Sequence, residues 1–402
     1  MATNLNSPLA LLMTYADPDE ENRLKTQLNE LVRMGYEVHT LGFGVERLHG
    51  VREHFSIPKR QNLVGLVRVA LIHLLFAKEK RFHALRVPRR VLRELEGRNY
   101  DLVITHDLEL LPLLLYSPVR PSTFFKSVKH IDLHELHEFR SPMSGTPNFF
   151  WRLLRFRLKP YHDWLMKFLQ SKEADLITVV NRSIGEWYVS NGHITSFLEV
   201  MNAAPELQVA FQKRSTESLR FIYHGRYGKS RGLEKVVEAS ARLREGDSLH
   251  FMLTGAAKEL EDFKSFARAT NPSITFHNSV AMSDVARYIS QFDVEVIYFE
   301  PVTNNLLLTL PNKFFEAVQG RLAIISGPSP ELVRFTSTHG NGRATTDWGL
   351  ESLSEMLSGL DRQKVEEMRE ASHALAQIVN STTEAGKLNS AWKNLVPAKR
   401  SS

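Results

Sequence analysis

The sequence predicts an α/β protein built from two doubly wound domains, and three observations lead there. Short apolar runs alternate with helical patterns from Leu9 onward, which is how βαβ units of a parallel sheet read. The alternation restarts after about residue 205. A chain of 402 residues is also longer than one ordinary core sustains, so two domains are expected.

The elements follow in order. Leu9 to Thr14 reads as the first strand. The polar turn Ala16-Asp17-Pro18-Asp19 leads into a helix over Glu20 to Met34, Gly35 stops it, and Tyr36 to Leu41 is the next strand. Leu102 to Thr105, Lys129 to Leu133 and Leu176 to Val180 continue the first sheet. Asn202-Ala203-Ala204-Pro205 reads as a linker, and Phe211 to Ser218 as a polar surface excursion. In the second half the strands are Phe221 to Tyr223, Leu249 to Leu253, Ile274 to His277, Val294 to Tyr298 and Ala323 to Ser326. The helices between them are Leu233 to Arg244, Lys258 to Ala269, Ser283 to Gln291 and Asn312 to Gln319. Ligands of such sheets bind beyond the carboxyl ends of the strands, so the expected site is a cleft between the domains.

Composition excludes several classes. Hydrophobic residues make up 43% and charged residues 24%, which rules out wholesale disorder. The absence of cysteine removes disulfides, thiol nucleophiles and thiolate metal sites. A net charge of +6 fits anionic partners without choosing among them. No recognised nucleic-acid module is present. The N-terminus lacks a basic region followed by a long apolar one, and no stretch is apolar enough to span a bilayer. The expectation is a cytoplasmic protein, soluble or held peripherally on the inner face of a membrane. Two segments motivate the peripheral reading. Residues 59–98 carry 11 Lys/Arg against three Glu around the apolar run Leu63 to Phe76, and residues 149–172 mix seven aromatics with six Lys/Arg. Such helices suit an anionic interface; the competing reading is core packing with a solvated basic face.

Three motifs carry chemistry. In Phe221-Ile-Tyr-His-Gly225-Arg226-Tyr-Gly228-Lys-Ser-Arg231-Gly232 a strand runs into glycines and cations before a helix, which suits an anion. A Walker P-loop would need glycine at 223, where the chain has Tyr223. Arg226 and Arg231 can clamp phosphate oxygens. In Thr309-Leu310-Pro311-Asn312-Lys313-Phe314-Phe315-Glu316, Pro311 and Asn312 open a helix whose first amides suit an anion. Glu316, one turn in, can accept bonds from sugar hydroxyls; a surface Glu–Lys pair is the plainer alternative. In the first half, Thr105-His106-Asp107 and Asp132-Leu133-His134-Glu135 follow strands. The histidines His130, His134 and His137 invite a metal, but the H-E-x-x-H spacing fails at Glu138. Strand alternation would also turn His137 away from His130 and His134. Histidines that merely pack or cap remain the plainer reading of His106 and His134.

In order and spacing these motifs resemble the GT-B glycosyltransferases, within them the large retaining family-four type that uses nucleotide sugars. The residues are Gly35-Tyr36-Glu37-Val38, Tyr100-Asp101 through His106-Asp107, Asp132 through Leu136, Ala174-Asp175, Asn202 through Pro205, Gly225-Arg226 with Arg231-Gly232, Thr254-Gly255, and Leu310 through Glu316. They span nearly the whole chain. The resemblance implies an N-terminal acceptor domain over 1–204, a nucleotide-sugar domain over 205–380, and a terminal helix over 381–402 that returns to the first domain. It implies that Arg226 meets the donor pyrophosphate and that Arg231 stands where lysine is usual. Glu316 binds the donor ribose, the amides near Pro311, Asn312 and Lys313 face the phosphates, and Gly225, Thr254 and Gly255 complete the donor side. His134, with Arg226 and Arg231, forms the catalytic set; His106, Asp107 and Glu135 are acceptor-side candidates. The implied partners are a nucleotide-sugar donor and a glycan or lipid-linked acceptor, with no metal or other cofactor and no nucleic acid. One departure is plain: the first glutamate of the family's E-x7-E motif falls at Leu308. A non-catalytic scaffold of the same fold, or a nucleotide-sugar epimerase or hydrolase, is the alternative.

Overall fold

The computed structural model describes residues 7–44, 48–58, 71–72, 75, 78–85, 87–138, 149–228 and 231–400. The chain divides into two compact units, Met1–Val200 with Ala385–Ser402, and Met201–Glu384.

The first unit holds a seven-stranded sheet in the order β3-β2-β1-β4-β5-β6-β7, every pair parallel. Its strands are β1 (Leu9–Met13), β2 (Glu37–Gly42), β3 (Val51–Ser56), β4 (Leu102–Thr105), β5 (Val128–Leu133), β6 (Leu176–Val179) and β7 (Leu198–Glu199). The second unit repeats the plan with six strands in the order β10-β9-β8-β11-β12-β13. These are β8 (Arg220–Arg226), β9 (Ser248–Thr254), β10 (Thr275–His277), β11 (Val294–Ile297), β12 (Ala323–Ser326) and β13 (Gly342–Ala344). In each sheet the order reverses beside the first strand, at β1/β4 and at β8/β11, and a crevice opens beyond the carboxyl ends at such a point.

Burial explains which elements the sequence announced. β1, β4, β11 and β12 are buried almost end to end, and strands covered on both faces read as continuous apolar runs. The strands that escaped are at the edges: β3 is Val-Arg-Glu-His-Phe-Ser, β7 has two residues and β13 is Gly-Arg-Ala. Edge strands are short or charged because an apolar edge invites pairing with other chains. β8 is longer than expected and runs to Arg226, so His224, Gly225 and Arg226 belong to a strand rather than to a loop.

Two connecting segments are held by the core of the second unit. The proposed linker is packed: Ala203 and Ala204 lie against the core of the second unit, and Ser381 donates its N–H to the Ala204 carbonyl at 3.0 Å. The segment Phe211 to Ser218 is a mostly exposed excursion, as expected, and it is held at several points. Arg369 donates to the Gln212 carbonyl, Arg362 to those of Thr216 and Ser218, and Phe211 stacks on His373.

Most of the run Leu63 to Phe76 lies outside the described residues, as do the side chains of 149–157. Where the second aromatic segment is described, core packing holds. Trp164 and Phe168 meet Tyr116 edge-on at 5.7 and 5.6 Å, and Arg81 lies over the ring of buried Tyr161. No described helix is long and apolar enough to cross a membrane.

The centre of the first unit is a buried charge pair. Asp132, at the end of β5, is fully enclosed. Its Oδ2 accepts from Arg23 Nε and Gln27 Nε2, each at 2.6 Å, and its Oδ1 from an Arg23 NH2 group and Thr178 Oγ1, each at 2.8 Å. Burial would raise this carboxyl, but the Arg23 guanidinium outweighs burial and holds it well below the usual carboxylate range. Thr178 Oγ1 also meets His130 Nε2 at 2.8 Å, and Trp392 donates its indole N–H to His130 Nδ1 at 3.3 Å. Burial pushes His130 down to about 4, so the ring is neutral and protonated on Nε2. The donors then run in one direction, from Trp392 through His130 and Thr178 to Asp132. Trp392 belongs to the terminal helix Ser381–Arg400 and packs with Leu388 and Val396 into the core of this unit.

Removing Arg23 strands a carboxylate in the interior. Arg23→Ala should therefore lower stability by about 3–5 kcal/mol, measured by urea unfolding. Adding Asp132→Asn should recover part of that loss, because no charge is then left unpaired.

Candidate functional site

The second unit gathers its sequence motifs at the carboxyl ends of β8, β9 and β11. β8 is central, and alternate side chains point to opposite faces. Phe221 and Tyr223 enter the core on one side, and Ile222 the core on the other. His224 therefore points to the Ile222 face. The helix Asn312–Gln319 covers that face through Phe314, Phe315 and Val318.

Gly225 has φ +118°, a region that favours glycine. A Cβ there would lie 3.4 Å from Lys313 Nζ. Without one, Lys313 reaches across the strand end, and its ammonium sits 3.6 Å from the Tyr223 ring centroid. Lys313 is buried, and its Nζ has no hydrogen-bond acceptor among the described residues. A buried ammonium facing only a ring is a strong anion receptor. Arg226 is exposed at the end of β8, directly opposite Thr254 in register. Tyr227 donates its N–H to the Thr254 carbonyl at 2.8 Å, which holds the turn beside exposed Thr254 and Gly255. Arg231 follows Gly228, to whose carbonyl its N–H donates, and Gly232 at φ +64° opens the helix Leu233–Ser240. The side chains of Arg226 and Arg231 form no hydrogen bond or ion pair among the described residues.

Glu316 is not in a surface Glu–Lys pair. Its Oε2 lies 2.8 Å from His224 Nε2, and His224 Nδ1 lies 2.9 Å from Oε2 of fully buried Glu295 on β11. Burial works against charging this ring. The carboxylates, Glu295 before Glu316, overcome it and raise His224 to about 9. Neither His224 nor Glu295 was among the expected site residues. Both could have been found: a carboxylate inside the apolar run Val294-Glu295-Val296-Ile297 must have a partner, and a histidine one residue before Gly225-Arg226 is a fitting one.

The remaining sequence candidates divide. Asn312 is exposed and its Oδ1 accepts from Asn202 Nδ2 at 2.9 Å. Pro311 is the N-cap of its helix and Leu308 ends the short helix Asn304–Leu308, so the position of the absent glutamate lies three residues before that N-cap.

In the first unit, His134 lies just past β5 with its ring centroid 5.9 Å from that of His106. His134 Nδ1 is buried with no hydrogen-bond partner among the described residues. His106 is fully enclosed, and burial pushes it down to about 3. That corrects its reading as an acceptor-side group: it is a neutral ring beneath His134. Asp107 is committed as well. It accepts from the Tyr15 N–H at 2.6 Å and from Thr14 Oγ1 at 2.9 Å, which fixes the turn after β1. Glu135 is exposed. His130 does not share a site with His134, since Thr178 and Trp392 hold it in the core.

No protein-family description and no curated protein matches the chain. Solved structures do. Sucrose-phosphate synthase from Thermosynechococcus elongatus superposes with a TM-score of 0.67 at 14% identity, over 98% of this chain and 100% of the other. An α,α-trehalose-phosphate synthase (UDP-forming) from Burkholderia vietnamiensis gives 0.60 at 13%, over 98% and 100%. Anabaena Alr3699/HepE, solved in complex with UDP, gives 0.62 at 12%, over 96% and 100%. The fold is GT-B. The two parallel sheets of seven and six strands share the fold of these structures.

The protonated His224 makes a pH prediction. Its folded pKa lies above the value of 6.5 for a free histidine, so its stabilisation is complete below about pH 6.5 and is lost as pH rises through about 9. Urea unfolding of the wild type should show roughly 3 kcal/mol more loss across that window than His224→Gln does.

Proposed function

We propose that the protein is a retaining, metal-independent glycosyltransferase that moves a sugar from a nucleotide-sugar donor to a glycan or lipid-linked acceptor, in cell-surface polysaccharide or glycolipid synthesis. The observation that carries this is one cluster on a GT-B fold: unpaired Arg226 and Arg231, buried unpaired Lys313, and Glu316 held by His224. Three cations and a hydroxyl-accepting carboxylate at the end of one sheet match a nucleoside diphosphate.

On this reading the donor lies on the second unit. Departure of the diphosphate builds negative charge, and Arg226, Arg231, Lys313 and the open amides at Asn312 and Lys313 stabilise it. The bond from the anomeric carbon to the phosphate oxygen breaks while the acceptor oxygen bonds to the same face. The acceptor proton passes to the leaving phosphate. The acceptor lies on the first unit, where His134 is positioned by its packing on neutral His106 and orients the transferring sugar. The described cation, ring and carboxylate groups supply these roles without a metal ion. HepE, solved with UDP and with UDP-glucose, makes UDP the first donor to try. Leu308 favours the second reading, a non-catalytic protein of the same fold.

A thermal-shift screen of UDP, GDP, ADP and dTDP and their sugars, with and without EDTA, tests the proposal. One series should stabilise the wild type in the presence of EDTA and fail to stabilise Arg226→Ala. Arg226→Ala and Glu316→Ala should each remove about 2–4 kcal/mol of transition-state stabilisation, read as kcat/KM, with unchanged circular dichroism. Silence with every nucleotide would transfer the weight to the non-catalytic reading. We also place the protein on the inner face of a membrane through its basic N-terminal surface. It should sediment with anionic liposomes at low salt and stay in solution at high salt.

A further inference from the structure

The fixed geometry around His224 reaches beyond a diphosphate clamp. We propose that Glu295 and His224 are positioning residues that lock Glu316 as a two-oxygen acceptor, and that this lock makes the site select a ribonucleoside over a 2′-deoxyribonucleoside. The inference rests on the donor-site reading above.

Three contacts define the lock. His224 Nε2 lies 2.8 Å from Glu316 Oε2, and His224 Nδ1 lies 2.9 Å from Glu295 Oε2. The His224 backbone N–H donates to the other oxygen of Glu295 at 3.3 Å. A neutral imidazole has one N–H and would turn a bare nitrogen toward one of the two carboxylates. Both nitrogens at hydrogen-bond distance from carboxylate oxygens therefore require an imidazolium that donates twice, or a proton on one carboxyl. The charged groups bonded to the ring are Glu295 from β11 and Glu316 from the helix Asn312–Gln319. The raised pKa of His224 agrees with the doubly donating ring.

The consequence falls on Glu316. Its side chain is 19% exposed, so it still reaches solvent. Oε2 is tied to His224, and Oε1 makes no hydrogen bond among the described residues. The carboxylate is thus held with one oxygen open and with lone pairs left on both, in one orientation. Two neighbouring hydroxyls can each donate to it; a sugar with one hydroxyl leaves a lone pair unmet in a site that cannot relax. Sites built to receive a hydroxyl reject analogues that lack it. A glutamate free to rotate would turn its oxygens to water and discriminate less. Glu295 is too deeply enclosed to touch a ligand, so its part is wholly indirect.

The test is calorimetric titration of the full chain with UDP, ADP and GDP and their 2′-deoxy forms. The preferred ribonucleotide should bind at least about tenfold more tightly than its deoxy partner. His224→Gln should lose most of that ratio, with the deoxy affinity little changed. Glu295→Gln, which keeps an acceptor but no charge, should fall between. In transfer assays both variants should raise KM for the donor more than they lower kcat. A wild type that binds a nucleotide in an Arg226-dependent way but ignores the 2′-hydroxyl overturns this inference and leaves the donor site standing. A His224→Gln variant with the full ratio does the same. Absence of binding by all six nucleotides overturns both. Nitrogen-15 spectra of the histidine rings provide a check that needs no variant to bind. At pH 7.5 the His224 ring, assigned by its loss in His224→Gln, should carry two bonded N–H protons. A neutral His224 tautomer at that pH overturns the lock.

Discussion

A carboxylate inside a parallel sheet must be met by a cation, and both units are organised around that requirement. Desolvating an ionised carboxylate is so unfavourable that an unpaired one does not survive in a core. The first unit answers with Arg23, whose guanidinium takes both oxygens of Asp132. The second answers with His224, whose ring takes Glu295 on one side and Glu316 on the other. Asp132 lies near the end of β5 and His224 near the end of β8, so the demands of the interior set the geometry just before the strand ends. Asp132 is two residues before His134, and His224 two before Arg226.

The two solutions differ in what they leave adjustable. Arginine is charged at any accessible pH, so the Arg23–Asp132 pair is a permanent joint. Its network continues through Thr178 and His130 to Trp392, which ties the terminal helix to the middle of the first sheet. A histidine cation is conditional. It exists at neutral pH because two carboxylates hold the proton, and the same proton fixes Glu316. Lys313 shows a third arrangement, a cation buried against a ring with no acceptor among the described residues. Within one strand end, one cation is thus fully paired and another is left unpaired. The unpaired one fits an incoming anion, and the paired one fixes a carboxylate.

How much was legible beforehand follows from the same physics. Strands buried on both faces, such as Leu102–Thr105 and Ala323–Ser326, appear as apolar runs and were read at their observed bounds. Edge strands such as Val51–Ser56 were missed because negative design against pairing removes the pattern that marks a strand. Gly225, Arg226, Arg231 and Lys313, which are proposed to face the donor phosphates, were visible because their spacing is local. His224 with Glu295 was not, since 71 positions separate the two residues; nothing in either short motif names the other. His106 and Asp107 were legible as a strand-end pair, but their burial and their bonds to the turn after β1 are tertiary facts. Chemistry that a loop presents to solvent can be read from spacing, whereas chemistry that the core presents to a loop cannot.

That difference bears on Leu308. A glutamate there would add a negative charge just ahead of the turn at Pro311–Lys313, where the donor phosphates are proposed to lie. With leucine, the charges near that turn are Lys313 and the His224-bound Glu316. On the proposed reading, a site without that carboxylate but with Glu316 toward the ribose leans on the nucleotide half of the donor for recognition. Glu295 and His224 destabilise the core as soon as either is unmatched, so the stability of the fold by itself retains them. On the donor-site reading Leu308 changes how the sugar is held, and nucleotide binding by the wild type is what separates that reading from the non-catalytic one.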